Sequence, residues 1–454
     1  MKIHILGICG TFMGGLALLA RELGHEVSGS DANIYPPMST QLEQSGIRLY
    51  QDYGIESLQQ EKADVHIIGN ALSRGNAAVE YILNEGLAYS SGPQWLADNV
   101  LPGRHVMAIS GTHGKTSCTS MLAWVLECVG KAPGFLIGGI AENFGVSARS
   151  GQSGYFVIEA DEYDTAFFDK RSKFIHYRPR TLVINNIEFD HADIFGDIDA
   201  IIREFSRMIR TVPKNGLIVC KHDDPQIRRV LASGCWTPTI GFGAEGAEWQ
   251  VRPGVADYSR FEILHQGKIK ATVNWGLIGR HNAENALAVT VAADHIGISA
   301  PAVAEALASY QSVKRRLQVL AEVNGVTIYD DFAHHPTAFK ATLSALRAKV
   351  GQARIIAVFE PRSNTMKLGV HQDTLAASLE DADTVLALEP DGLSWDLHKS
   401  LQGVAGSSRV FSDTDQIIRF LGAQVKHGDH VLIMSNGSFD AIHQRLIESL
   451  AKPA

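Results

Sequence analysis

Short apolar runs alternate with stretches of helical spacing along most of the chain. Lys2 to Leu6 reads as a strand, Leu16 to Leu23 as a helix, and Glu26 to Ser30 as a second strand that ends at Asp31. The alternation continues through Asp64 to Asn70 and on to about residue 98. An apolar run ending in Met107-Ala108-Ile109-Ser110 then precedes Met121, Leu122, Val125, Leu126 and Val129 at helical spacing, closed by Gly130. Further strands are predicted at Tyr155 to Ile158 and Thr181 to Ile184. A hairpin is predicted from Arg260–Leu264 and Lys268–Val273 around Gln266-Gly267, and an alanine-rich helix opens near Gly279. Beyond Arg316, strands at about 326–329, 354–359, 384–388, 409–411 and 430–434 alternate with helical stretches at about 337–348, 371–380, 414–422 and 439–449. Such alternation predicts α/β domains built on largely parallel sheets.

At 454 residues the chain is too long for one core. Pro102 and Gly103 mark a linker over 99–104, and a second boundary falls near Ser312 to Arg316. The predicted domains are therefore 1–103, 104–312 and 313–454. A hydrophobic share of 45% and a charged share of 20% are ordinary for a soluble chain, and the net charge of -8 is spread without a basic run. Nucleic acid and membrane surfaces are thus not expected partners, and nothing in the pattern implies an obligate protein partner. Cys9, Cys118, Cys128, Cys220 and Cys235 form no C-x-x-C pair or even framework, and no apolar span approaches the ~18 residues of a membrane helix. A cytoplasmic location is the expectation.

Chemistry concentrates where predicted strands end. Gly111-Thr112-His113-Gly114-Lys115-Thr116-Ser117 lies between a strand and a helix. There, successive N–H groups and the positive helix end face an anion, Lys115 adds a point charge, and Thr116 offers a hydroxyl to magnesium. Ile109 stands where the full Walker pattern has its first glycine, so the motif is incomplete. A second glycine turn, Gly7 to Gly15, opens the first domain with Gly7, Gly10, Thr11 and Gly14, and Asp31 follows the next strand. This layout suits a nucleotide diphosphate and its sugar hydroxyls, with a nicotinamide dinucleotide as the minor alternative. Glu159-Ala160-Asp161-Glu162 and Asn186 to His191 end two strands beside the phosphate loop. Glu159 is the best single magnesium ligand among them, whereas a lone histidine such as His191 is more often a hydrogen-bonded structural residue than a ligand. Asn282 and Asn285 share a helical face that could read a base edge or cap a helix. Asp330 to Pro336 and Glu360 to Lys367 follow strands of the last domain.

Taken together, these motifs resemble the Mur ligases over essentially the whole chain, in order. The resemblance implies a Rossmann-like N-terminal domain for a UDP-sugar, a central P-loop ATPase-like domain, and a C-terminal Rossmann-like domain for the acceptor. It implies ATP and Mg2+ as cofactors and UDP-N-acetylmuramate as a substrate, whose lactyl carboxylate is phosphorylated and then attacked by an amine. Thr116, Glu159 and His191 match the metal ligands of the family; His281, Asn282 and Asn285 match its adenine positions. Arg316 and Asp331 match third-domain residues that close over the nucleotide, and Lys115 matches the phosphate-loop lysine. Several stretches, among them Gly7 to Met13, Tyr35 to Ser39, Phe167 to Lys173, Glu360 to Lys367 and Met434 to Gly437, resemble the branch whose acceptor is the murein tripeptide L-alanyl-γ-D-glutamyl-meso-diaminopimelate. The branch that adds L-alanine is the alternative.

Two departures stand out. The lysine that some members carbamylate is replaced by Phe205, with Arg203 and Glu204 beside it, and the D-N-P-R motif for diaminopimelate is absent. Arg362, Ser363 and Asn364 follow a third-domain strand and carry donors suited to carboxylates, so they are the expected peptide-binding residues. A dehydrogenase built on the first glycine turn and a non-catalytic nucleotide switch are the competing readings from other classes.

Overall fold

The computed structural model describes residues 1–35, 38–243 and 245–452, so Pro36 and Pro37 of the Tyr35 to Ser39 stretch lie outside the described residues. Strands and helices alternate as expected, and the strands gather into three large sheets. The first is wholly parallel, in the spatial order Arg48–Gln51, Glu26–Asp31, Lys2–Leu6, Val65–Ile68, Tyr89–Ser91. Its strand order reverses at Lys2–Leu6, which places the glycine turn and helix Thr11–Glu22 at the crevice where such sheets bind ligands.

His105–Ser110 lies inside a ten-stranded sheet, flanked in parallel by Tyr155–Glu159 on one side and Thr181–Ile184 on the other. Both acidic stretches therefore emerge beside the phosphate loop, at the same sheet edge. The predicted hairpin is present as Arg260–His265 and Lys268–Asn274 at the far end of this sheet.

The third sheet has six strands, parallel except for its first, Gln318–Val323. The sequence predicts the first strand of this domain at about 326–329 and none at Gln318–Val323. It pairs antiparallel with Val326–Asp331 through a two-residue loop, Asn324-Gly325, whose φ angles of 52° and 76° suit the Asn-Gly turn of tight hairpins. The helical stretch expected at 371–380 is also corrected. Only Leu375–Ser378 is helical, because Leu375 and Ser378 are buried while Gln372, Asp373 and Thr374 lie exposed.

Candidate active site at the meeting of the central and third domains

Gly111 and Gly114 adopt φ values of 131° and 81°, and these allow the loop after His105–Ser110 to turn sharply into helix Lys115–Cys128. The loop is anchored from below. Thr112 N–H donates to the Asn186 carbonyl at 3.1 Å and His113 N–H to Asn186 Oδ1 at 2.8 Å. Ser117 is buried one turn on, where its carbonyl accepts from the Tyr310 hydroxyl at 3.5 Å.

Lys115 Nζ donates to the Gly111 carbonyl and to Glu162 Oε2, each at 2.8 Å, with Asp161 at 3.8 Å. Burial alone would lower its pKa, but Glu162 and Asp161 outweigh it and keep the amine protonated. For Glu162, burial raises the pKa while Lys115 and His191 pull it down to about 2. His191 Nε2 sits 3.5 Å from the other Glu162 oxygen. Burial would lower the pKa of this imidazole, but Glu162 and Asp190 raise it. The residue is held at φ 54°, a left-handed conformation costly for a histidine.

Thr116 Oγ1 donates to Glu159 Oε1 at 2.9 Å, and the other Glu159 oxygen accepts from Gly138 N–H at 2.7 Å. Burial, then Asp161, raises the Glu159 pKa against the pull of Lys115. A hydroxyl, a strand-end carboxylate and a nearby imidazole form a mostly hard-oxygen donor set, and these residues fit a magnesium ion. Arg316 reaches in from the third domain, donating to Thr116 Oγ1 at 3.3 Å and stacking 5.2 Å from the Phe332 ring centroid. Asp331 supports that loop from beneath, accepting from Leu317 N–H at 2.6 Å and Ala333 N–H at 2.8 Å. Its carboxyl is raised by burial, with Arg316 opposing.

The residues expected around the base divide. Asn285 Oδ1 accepts from Asn185 at 3.3 Å and lies against Gly114, where a Cβ would approach it to 2.7 Å. Asn282 instead donates back to the Ile278 carbonyl at 2.8 Å. His281 borders the same region, and burial brings its pKa down to about 4.

In the first domain, Asp31 ties the glycine turn to its sheet by accepting from Cys9 N–H and Asn33 N–H at 2.9 Å. Gly7 turns with φ 80°, and Gly10 and Thr11 open helix Thr11–Glu22. Gly14 is a packing position, since a Cβ there would come within 2.3 Å of Met38 Sδ. Ser363 caps the helix Asn364–Lys367 by accepting from Met366 N–H, and Asn364 donates to Asp193 of the central domain at 2.9 Å. Arg362 is exposed against Gly437, where any Cβ would collide with its guanidinium.

Several partners were not singled out from sequence. Glu162 was named only within its cluster, although its place three residues beyond the end of the strand Tyr155–Glu159 was a usable signal. Thr337 Oγ1 donates to Glu188 Oε2 and Thr365 Oγ1 to Asp190 Oδ1, both at 2.7 Å, so third-domain hydroxyls meet central-domain carboxylates. His113, Glu188 and His335 bring ligand atoms within 4.8 Å of one another. His335 Nδ1 already accepts Thr337 N–H and His113 Nε2 already pairs with Glu188 at 3.2 Å, so this set works as an interdomain contact.

A phosphate loop, acidic strand ends and a third-domain arginine gathered around one threonine form a site suited to the phosphates of a nucleotide. The Mur ligase family, catalytic domain, matches residues 2–102; the Mur ligase middle domain matches 109–293; and the Mur ligase, glutamate ligase domain, matches 315–437. The chain belongs to the Mur ligase family, whose members are ATP-dependent ligases. It is 52% identical to the UDP-N-acetylmuramate–L-alanyl-γ-D-glutamyl-meso-2,6-diaminoheptandioate ligase of Escherichia coli, covering 100% of this chain and 99% of that one. A crystal structure of a murein peptide ligase from Psychrobacter arcticus superposes with TM-score 0.77 at 46% identity, covering 100% and 99% of the two chains. The UDP-N-acetylmuramate–L-alanine ligase of Symbiobacterium thermophilum is 32% identical, covering 100% and 95%.

Proposed function

We infer that this chain joins L-alanyl-γ-D-glutamyl-meso-diaminopimelate to UDP-N-acetylmuramate at the expense of ATP. The observation that carries the chemistry is the hydrogen bond from Arg316 to Thr116, which brings the third domain onto the phosphate loop beside Glu159. The tripeptide as acceptor rests on the 52% identity to the tripeptide ligase, against 32% to the L-alanine ligase.

A lactyl carboxylate oxygen attacks the γ-phosphorus, and the bond to the bridging oxygen breaks with its electron pair leaving on ADP. The tripeptide amine then attacks the acyl carbon, phosphate departs, and the amine loses one proton. Lys115 and Arg316 neutralise charge on the transferring phosphoryl group. Thr116, Glu159 and His191 would hold magnesium, which supplies further neutralisation when bound. Asn285, His281 and Asn282 border the base, while Gly7, Gly10, Thr11, Gly14 and Asp31 form the UDP-sugar end. Arg362 takes a carboxylate of the peptide, with Ser363 and Asn364 fixing the loop that presents it.

The test is phosphate release with ATP, magnesium and UDP-N-acetylmuramate, comparing the tripeptide with L-alanine. Release driven by the tripeptide alone is expected, and release driven equally by L-alanine would move the chain to the other branch. Arg362→Ala is expected to raise the KM for tripeptide about tenfold or more, as loss of a charge-assisted pair should. An unchanged KM would remove Arg362 from the peptide site.

A further inference from the structure

Lys173 is only 3% exposed, yet among the described residues its Nζ donates no hydrogen bond. Its ion-pair partner is Asp161 at 3.9 Å, a carboxylate that also lies 3.8 Å from Lys115. Two rings enclose the ammonium: Tyr163 with its centroid at 4.1 Å and Phe12 with its centroid at 4.6 Å. Aromatic faces and one distant, shared carboxylate leave the three ammonium protons without an oxygen acceptor. Burial lowers the pKa of this lysine against the pull of Asp161, as expected for a cation with too few partners.

The local fold holds this position firmly. The strands Asp164–Ala166 and Asp169–Ser172 form a small hairpin, and Lys173 opens the short 3-10 turn that follows, with its N–H donating to the Tyr163 carbonyl at 3.1 Å. Phe174 packs beneath, its ring 5.2 Å from that of Phe205. The two rings over Lys173 belong to different functional regions. Phe12 lies in the first turn of the helix that opens the UDP-sugar crevice. The ring of Tyr163 is 5.2 Å from that of His191, beside Glu159 and Lys115. Lys173 thus stands between the nucleotide-sugar end and the phosphoryl-transfer end.

We propose that Lys173 binds the lactyl carboxylate of the UDP-sugar and sets it toward the phosphate loop, so that this ammonium distinguishes a muramic acid from a sugar without the lactyl group. The inference rests on the proposed function and adds a specificity residue to it. A carboxylate at this point supplies the missing acceptors in an enclosed setting, where a charge-assisted hydrogen bond is strong.

Calorimetric titration of the full-length protein, without ATP, with UDP-N-acetylmuramate and separately with UDP-N-acetylglucosamine, provides the test. Wild type is expected to prefer the muramate. Lys173→Met, which keeps the side-chain length and removes the charge, should weaken muramate binding about tenfold or more and leave glucosamine binding unchanged. Lys173→Arg should restore part of the preference. A Lys173→Met protein that melts as wild type does and keeps the full preference for muramate would overturn the inference while leaving the ligase reading intact. A wild type that binds neither UDP-sugar would overturn both.

Discussion

The ammonium of Lys115 is paired with two carboxylates, so its removal does more than delete a phosphate ligand. In Lys115→Met, Glu162 and Asp161 lose the cation at 2.8 and 3.8 Å in a buried site, and keep only His191 and Lys173, at 3.5 and 3.9 Å, as positive neighbours. Ligation is expected to fall by a factor on the order of 10³, within the range found when a preorganised charge stabiliser is lost. An ADP-release assay measures it. A second residue-scale expectation concerns His4, wholly buried between the hydroxyls of Ser28 and Ser30 at 2.9 Å. Burial, aided by His66, brings its pKa from 6.5 to about 4. In that window the unfolded chain binds a proton that the folded chain refuses, so stability rises with pH and is lost as pH falls from about 6.5 toward 4. The loss should be on the order of 1 kcal/mol per pH unit for this side chain. His4→Gln should flatten the dependence of melting temperature on pH between 6.5 and 5, and an unaltered slope would remove His4 as its source.

At the scale of elements, what could be read from sequence was what is local. The strand, glycine turn and helix around Lys115 are contiguous, and so were legible, as were Thr116 and the strand-end Glu159. The first strand of the third domain was missed although Asn324-Gly325 announces a tight hairpin, because Gln318–Val323 is mostly half-exposed and carries no strong apolar run. Gly325→Ala tests that turn. Its φ is 76° and a Cβ would come within 2.2 Å of His427, so the variant should lose about 1–2 kcal/mol and melt at lower temperature. Illegible for a different reason are Thr337 with Glu188, Thr365 with Asp190, and Lys173 with Phe12. Those partners are brought together only by packing across domains. Phe205 is an intermediate case: its identity showed that no lysine could be carbamylated there, and the fold adds that it is wholly buried against Phe174.

Over the whole molecule, the interfaces differ in kind. One apolar cluster runs from Ile3 and Leu16 of the first domain to Phe156 and Val230 of the second, and Gly15 allows close approach to Ala148. Motion at the 99–104 linker would have to break this core. The third domain has its own clusters, and polar contacts through Arg316, Thr337, Asn364 and Thr365 join it to the central domain beside a small apolar approach of Ala345 to Gly279. Its linker also carries Ser312, Arg315 and Leu317 at φ values of 72°, 62° and 47°, backbone states that a hinge can exchange for relaxed ones. Rigid-body movement should therefore concentrate at residues 312–317. Small-angle scattering is expected to show the radius of gyration falling when an ATP analogue and UDP-N-acetylmuramate are added together. The double variant Thr337→Val, Thr365→Val strips two hydroxyls from the interface and leaves Glu188 and Asp190 without those donors. It should be more expanded than wild type without ligands and need more nucleotide to reach the same compact radius. If both proteins kept one radius under every condition, the closing third domain would have to be abandoned, and Arg316 would be a fixed part of the phosphate site.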